Sequence, residues 1–224
     1  MINWDCVVMV IECWRNIGMN KIKVVGLGPG HKDYILPKGM EAINNSNIVI
    51  GAKRNLQAMN LQGKESYEIT GNLDGAIDFI KNKYIDNRVA VIVSGDTGFY
   101  SLLTFLKKHF TAEELEVIPG ISSMQYMFAR LGESWENAYL GSLHGRDNSF
   151  AEGVREHKKV CLLTDKKWTP FMIAQRLIEE GVKDRVMYIG ENLSYENERI
   201  TRVDINKIDR DTVYDICVVV IVYE

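Results

Sequence analysis

The sequence lacks the features that several protein classes require. Its 224 residues contain four cysteines and no C-x-x-C pair, which argues against a disulfide framework and against a zinc ribbon. Lys and Arg total 27 against 30 acidic residues, and the net charge of -3 provides no positive field for nucleic acid or an anionic membrane. The apolar run at residues 6–11 is too short to span a bilayer, and no basic segment precedes it. We therefore expect a cytoplasmic protein with reduced thiols, whose partners include neither nucleic acid nor membrane.

Short β-rich runs alternate with helical periodicities from residue 20 onward. The clearest strands cover residues 22–28 and 88–95, and each ends in a glycine-rich turn. Both faces of the strand at residues 88–95 are apolar, which favours a position at the centre of a sheet. The alternation predicts the α/β fold class, with helices packed on a mostly parallel sheet.

A polar, turn-rich stretch at residues 132–137 separates two such alternations. It is the best candidate for a domain junction, because few apolar contacts are expected to cross it. We predict an extension of uncertain role over residues 1–19, an N-terminal α/β domain over residues 20–133 and a C-terminal α/β domain over residues 134–224.

The first glycine-rich turn, Gly26 to Gly30, differs from a dinucleotide-binding loop. His31 stands where the third glycine of that fingerprint would be, and the next strand ends without a carboxylate. Pro29 also removes a backbone N–H that a pyrophosphate would use. A nicotinamide or flavin site is therefore disfavoured, and a purely structural glycine-proline turn stays open as an alternative.

Two further turns follow predicted strands. Asp96 lies in the turn over residues 94–100, where it either reaches a ligand beyond the strand end or caps the following helix. Ser122 and Ser123 lie in the turn over residues 118–123, whose spacing differs from the G-x-S-x-G of a serine hydrolase. The two serines are therefore helix caps or ligand donors.

The three turns in this order, G-x-G-P-G, G-D-x-G-F-Y and V-I-P-G-I-S-S, resemble those of the tetrapyrrole methylases. The resemblance covers about residues 20–224 and implies two α/β domains with S-adenosylmethionine bound in a cleft between them. Strings at residues 115–132, 142–146, 160–165 and 190–200 are most similar to the branch that methylates C5 of cobalt-precorrin-7, a corrin-ring precursor of cobalamin. The resemblance thus implies a methyltransferase that acts on a corrinoid substrate and works as a homo-oligomer, a dimer.

The resemblance also implies which residues form the site. Carried over position by position, the residues that contact the cofactor are Leu27, Gly28, Pro29, Gly95, Asp96, Phe99, Ser122, Ser123 and Leu163. The chain departs from the family at Thr97, where many relatives carry proline, and residues 1–18 match no part of it.

Substrate recognition is predicted from the S-L-H-G-R string at residues 142–146. Arg146 can bind a substrate carboxylate through two parallel hydrogen bonds, with a surface pair to Asp147 or Glu152 as the alternative. His144 would face the same way on a strand, so it is a candidate for substrate binding and for the catalytic base. A base is optional, because the ring carbon is itself nucleophilic. No His, Cys and Asp cluster has metal-ligand spacing, so any cobalt is expected to arrive within the substrate.

Two rival functions stay open. One is a sibling methylase that acts on another ring carbon, and the other is a non-catalytic module that binds a tetrapyrrole. Residue spacing does not exclude methylation at a neighbouring ring position, because the methylated position depends on how the macrocycle lies in its site.

Overall fold

The computed structural model of the chain describes residues 20–144 and 150–223. Contacts divide these residues into two compact units. The first comprises residues 20–27 with Ile35–Gly120, and the second comprises Gly28–Tyr34 with residues 121–223. The expected extension over residues 1–19 lies outside the described residues. The boundary expected near residue 133 concerns domains that fold independently. Such domains need not have the same limits as these compact units, so the boundary stays a prediction.

The first unit is built on a five-stranded sheet. Its strands are β1 (Ile22–Gly26), β2 (Ile48–Gly51), β3 (Glu65–Glu68), β4 (Val89–Val93) and β5 (Leu115–Ile118). All neighbouring strands run parallel in the order β3-β2-β4-β1-β5, which confirms the central position of β4. Parallel strands need crossover connections, and these contain α1 (Pro37–Asn44), α2 (Lys53–Gln57), α3 (Leu73–Lys83) and α4 (Leu103–Leu106).

The core of the first unit lies on both faces of this sheet. Every residue of β4 is buried. Successive side chains of β1 serve opposite faces, since Val24 belongs to one apolar cluster and Val25 to another.

The apolar positions Leu102, Leu103, Leu106 and Phe110 have helical spacing and predict a helix over residues 98–110, but only α4 is helical there. The hydroxyl of Ser101 donates to the carbonyl oxygen of Thr97 and accepts from the N–H of Leu103 at 3.2 Å. Such side-chain bonds compete with helical hydrogen bonds, which explains the irregular start.

The second unit is built on another five-stranded sheet. Its strands are β6 (Tyr139–Ser142), β7 (Lys159–Leu163), β8 (Arg185–Glu191), β9 (Arg199–Asp204) and β10 (Cys217–Tyr223). The helices are α5 (Ser123–Leu131), α6 (Phe150–Glu156) and α7 (Pro170–Glu179). The strand order is β6-β7-β10-β8-β9, in which β6 and β7 are parallel and the other pairs antiparallel.

The expectation of a mostly parallel sheet is therefore right for the first unit and wrong for the second. Strands β8 and β9 are joined by the short segment 192–198, and so short a connection can join only antiparallel neighbours. The α/β fold class itself is confirmed in both units.

Two of the cysteines lie in this second sheet as buried free thiols. They are Cys161 on β7 and Cys217 on β10, and burial raises the pKa of Cys217 to about 11. Cys6 and Cys13 lie outside the described residues. Over residues 20–144 and 150–223, no helix combines the length and the apolar character needed to cross a membrane.

Candidate functional site

In the first unit the candidate site lies at the carboxyl ends of β1, β4 and β5. Leu27 directly follows β1 and is 6% exposed, and its N–H donates to the carbonyl oxygen of Val93 at 2.9 Å. Gly95 and Asp96 follow β4 and are half-buried. The fold thus brings Leu27, Gly95 and Asp96 together at the edge where parallel α/β sheets bind ligands.

Glycines allow the turns at this edge to pack backbone against backbone. A Cβ on Gly26 would lie 2.7 Å from the nitrogen of Gly120 and 2.7 Å from the carbonyl oxygen of Gly95. A side chain at this position would force the turns apart. The turns therefore meet through bare main chain, with no room for a side chain at Gly26.

The carboxylate of Asp96 ties two of these turns together. Its Oδ1 accepts from the N–H of Gly98 at 2.7 Å, and its Oδ2 accepts from the N–H of Gly120 at 3.2 Å. The alternative role as a helix cap is wrong, because α4 begins only at Leu103 and has no side-chain cap. A carboxylate has about four acceptor positions, so Asp96 can also accept from a ligand.

Thr97 and Phe99 lie in the same turn as Asp96. The half-buried ring of Phe99 meets that of Tyr100 edge-on, with 4.9 Å between the centroids. Thr97 is 3% exposed. The turn that carries Asp96 thus has a buried threonine directly after the aspartate.

In the second unit, Ser122 and Ser123 open helix α5. The Oγ of Ser122 accepts from the N–H of Gln125 at 3.1 Å, and the side chain of Gln125 accepts from the N–H of Ser122 at 2.9 Å. This reciprocal pair is a capping box, and Ser122 is 3% exposed. The cap alternative is therefore confirmed for Ser122, whose hydroxyl retains its proton for donation. Ser123 is half-buried.

Leu163 and His144 lie at the carboxyl ends of two neighbouring parallel strands. Leu163 ends β7 and pairs with Ser142 of β6, and its carbonyl oxygen accepts from the N–H of Leu143 at 2.9 Å. His144 is exposed, and its N–H donates to the Oγ of Ser142 at 3.3 Å. The fold brings these two predicted residues to one edge of the sheet, whereas Arg146 lies outside the described residues.

Gly28 and Pro29 belong to the second unit, although Leu27 belongs to the first. Gly28 is buried in the left-handed conformation, with φ of 80°.

Sequence reasoning missed the ion pair of Arg130 with Glu198, whose Nε and Oε1 are 2.7 Å apart. These charges are 68 residues apart, so no local pattern signals their contact.

Each unit contains groups whose chemistry suits contacts with S-adenosylmethionine. The described parts of the chain hold no group of three His, Cys, Asp or Glu side chains arranged to bind a metal. The first unit offers the carboxylate of Asp96, bare main chain and the half-buried Phe99. The second offers Leu163 and Ser123, also half-buried. A sulfonium cofactor combines a cation, hydroxyl groups and an aromatic purine ring, which carboxylates, backbone groups and flat or apolar side chains can each contact.

Comparisons with known proteins agree with this chemistry. The sequence profile of the Tetrapyrrole (Corrin/Porphyrin) Methylases matches residues 21–209. Cobalt-precorrin-7 C(5)-methyltransferase of Salmonella typhimurium is 36% identical over 203 residues, which are 91% of this chain and 99% of that protein. The probable enzyme of the same name from Methanocaldococcus jannaschii is 35% identical over 194 residues, covering 84% of this chain and 90% of that protein.

A solved structure shows the same fold. Uroporphyrin-III C-methyltransferase from Thermus thermophilus, in complex with S-adenosylhomocysteine, has a TM-score of 0.71 at 15% identity. The match covers 90% of this chain and 97% of that one. The chain therefore belongs to the tetrapyrrole methylases, the S-adenosylmethionine-dependent methyltransferases of corrin and porphyrin rings.

Proposed function

We propose that the protein transfers one methyl group from S-adenosylmethionine to C5 of cobalt-precorrin-7 during assembly of the corrin ring of cobalamin. The observation that carries the proposal is the 36% identity over nearly the full length of both chains with a relative of that name. Because the identity extends over both units, it supports the proposed substrate as well as the proposed cofactor contacts.

The contribution of the chain to this reaction is positioning. S-adenosylmethionine supplies a methyl group on a sulfonium, and transfer is an in-line displacement at carbon. Holding two reactants in line can contribute roughly 7–11 kcal/mol to such a step. Asp96 supports this by joining the turns after β4 and β5 through its bonds to Gly98 and Gly120. The proposed cofactor contacts are Leu27, Gly28, Pro29, Gly95, Asp96, Phe99, Ser122, Ser123 and Leu163.

The substrate carries several carboxylates and a nucleophilic ring carbon. We assign Arg146 to a carboxylate of the macrocycle, because a guanidinium binds a carboxylate with two parallel hydrogen bonds. His144 is assigned to the substrate and to the proton released at the methylated carbon, since its imidazole is exposed and histidine is the side chain most often used as a general base. The working form in this proposal is a cytoplasmic homodimer.

The proposal is tested by identifying the product. Incubated with cobalt-precorrin-7 and S-adenosylmethionine labelled with ¹³C in the methyl group, the protein should give a product heavier by one labelled methyl. Carbon NMR should locate that label at C5, and the mass should exclude loss of carbon dioxide. A reaction without protein serves as the control.

Each rival predicts a different result. Label at another ring carbon would assign the protein to a sibling activity. A second methyl group or loss of carbon dioxide would also contradict the proposal. Binding of the substrate without formation of S-adenosylhomocysteine would indicate a non-catalytic module.

A further inference from the structure

A network of hydrogen bonds centred on Glu198 fastens the turn at Gly28–Tyr34 within the second unit. The N–H of His31 donates to the Oγ of Ser194 at 2.8 Å. The N–H of Ser194 in turn donates to the Oε2 of Glu198 at 2.7 Å. Arg130 of helix α5 donates from its Nε to the Oε1 of the same carboxylate at 2.7 Å. One carboxylate thus joins the turn, helix α5 and the segment between β8 and β9.

Aromatic rings complete the attachment of the turn. The ring of Tyr34 meets that of Tyr126 edge-on, with 5.0 Å between the centroids. The hydroxyl of Tyr126 is hydrogen-bonded to Glu198 and to Tyr34, and burial together with these bonds raises the pKa of Tyr126. Gly30 lies so close to the ring of Tyr195 that an added Cβ would be 2.7 Å from its Cζ. The turn is therefore packed against the segment as well as hydrogen-bonded to it.

Two observations distinguish this network from an ordinary surface ion pair. The side chain of Glu198 is only 13% exposed. Burial alone would raise its pKa, but the bonds from Ser194, Tyr126 and Arg130 lower the pKa overall. Asn192 and Ser194 also adopt left-handed backbone conformations, with φ of 48° and 71°. Residues other than glycine rarely adopt these conformations, and such strain persists where the surroundings enforce it, commonly at functional sites.

We propose that Glu198 is a positioning residue for the methyl-transfer site, acting through Ser194 on the turn at Gly28–Tyr34. The turn begins with Gly28 and Pro29, which are two of the proposed cofactor contacts, and Leu27 precedes it directly. Glu198 holds Ser194 in its strained conformation, and the Oγ of Ser194 then holds the backbone of His31. The inference rests on the assignment of residues 27–29 to the cofactor, not on the identity of the methylated carbon.

The test compares Glu198→Gln with Glu196→Gln, a matched change at an exposed position of the same segment. Hydrogen exchange at the amides of His31 and Tyr34 should accelerate in Glu198→Gln and stay unchanged in the control. Affinity for S-adenosylhomocysteine, measured by calorimetry, should fall about tenfold, which corresponds to about 1.4 kcal/mol of weakened contacts. Ser194→Ala, which removes only the acceptor for His31, should weaken the affinity in the same direction.

A merely structural role would give a different pattern. Glu198→Gln would then lower the melting temperature and leave the affinity of the folded protein unchanged, which would overturn the proposal. Unchanged affinity in Ser194→Ala would also overturn it, and this variant decides the question should Glu198→Gln fail to fold. Failure of the proposed function would give a different result. The wild-type protein would then bind S-adenosylhomocysteine but methylate another carbon.

Discussion

At the scale of single residues, the candidate site of the first unit depends on three glycines, which carry no Cβ atom. Gly26, Gly95 and Gly120 come from three different turns, and their backbones touch because none carries a Cβ. Asp96 can bridge to the N–H of Gly120 only because the turns are this close. The close packing of the turns and the hydrogen bond from Gly120 to Asp96 therefore both depend on the missing Cβ atoms.

Replacing Gly120 by alanine should disturb both the packing of the turns and the hydrogen bond to Asp96. The new Cβ would lie 2.8 Å from the carbonyl carbon of Gly26 and closer still to the carbonyl oxygen of Gly95. Overpacking of this kind lowers the free energy of unfolding by about 1–3 kcal/mol. Urea unfolding measures the loss, with Gly71→Ala as the matched control, because a Cβ there meets nothing within 4 Å. Equal midpoints for the two variants would contradict this account of the turns.

At the scale of elements, helix α5 shows how one residue can serve stability and binding together. Ser122 and Gln125 satisfy each other's backbone N–H groups at its first turn. Gly132, in the left-handed conformation, ends the helix. The cap fixes the position of the two serines that are assigned to the cofactor.

The two roles of Ser122 can be separated by comparison with Thr169, which caps α7. The Oγ1 of Thr169 accepts from the N–H of Met172 at 3.3 Å. Ser122→Ala and Thr169→Ala should each lower the free energy of unfolding by about 1 kcal/mol, the usual contribution of such a cap. Only Ser122→Ala should also weaken binding of S-adenosylhomocysteine in calorimetry. If both variants bind the cofactor product like wild type, Ser122 is a cap alone.

At the scale of the whole molecule, both units contain carboxylates whose pKa is lowered by folding. In the first unit, the hydroxyl of Tyr84 and the N–H of Thr111 donate to Glu114 and lower its pKa. In the second unit, burial would raise the pKa of Glu198, but its three hydrogen-bond donors lower it overall. A group with a lowered pKa in the folded state stabilises that state above its unfolded pKa, and the contribution is lost as the pH falls through the folded pKa.

The protein should therefore be equally stable at neutral and mildly acidic pH and lose stability below about pH 4.5, near the unfolded pKa of glutamate. Urea midpoints measured across this range check the direction. The double variant Glu114→Gln, Glu198→Gln should be less stable at neutral pH and should lose less on acidification. If the stability of the double variant falls on acidification as steeply as that of wild type, other carboxylates are responsible for the acid sensitivity.

Much of the site could be predicted from the sequence, because the signals are local. Glycine-rich turns directly follow apolar runs, so Leu27, Gly95 and Asp96 could be assigned to strand ends. Parallel strands then bring those ends to one edge. The cap at Ser122 is also local, since its partner Gln125 is three residues away. The irregular start of α4 could not be foreseen, because apolar spacing alone does not reveal the bonds of Ser101.

The sequence by itself determined the α/β class, the central strand β4 and the positions of the three turns, since periodicity and glycine act over neighbouring residues. Only the tertiary structure decided the antiparallel order of the second sheet, because strand pairing depends on contacts between distant segments. It also decided that the turn at Gly28–Tyr34 packs with the second unit. The bond that holds this turn, from His31 to Ser194, joins residues 163 positions apart, and no local propensity encodes it.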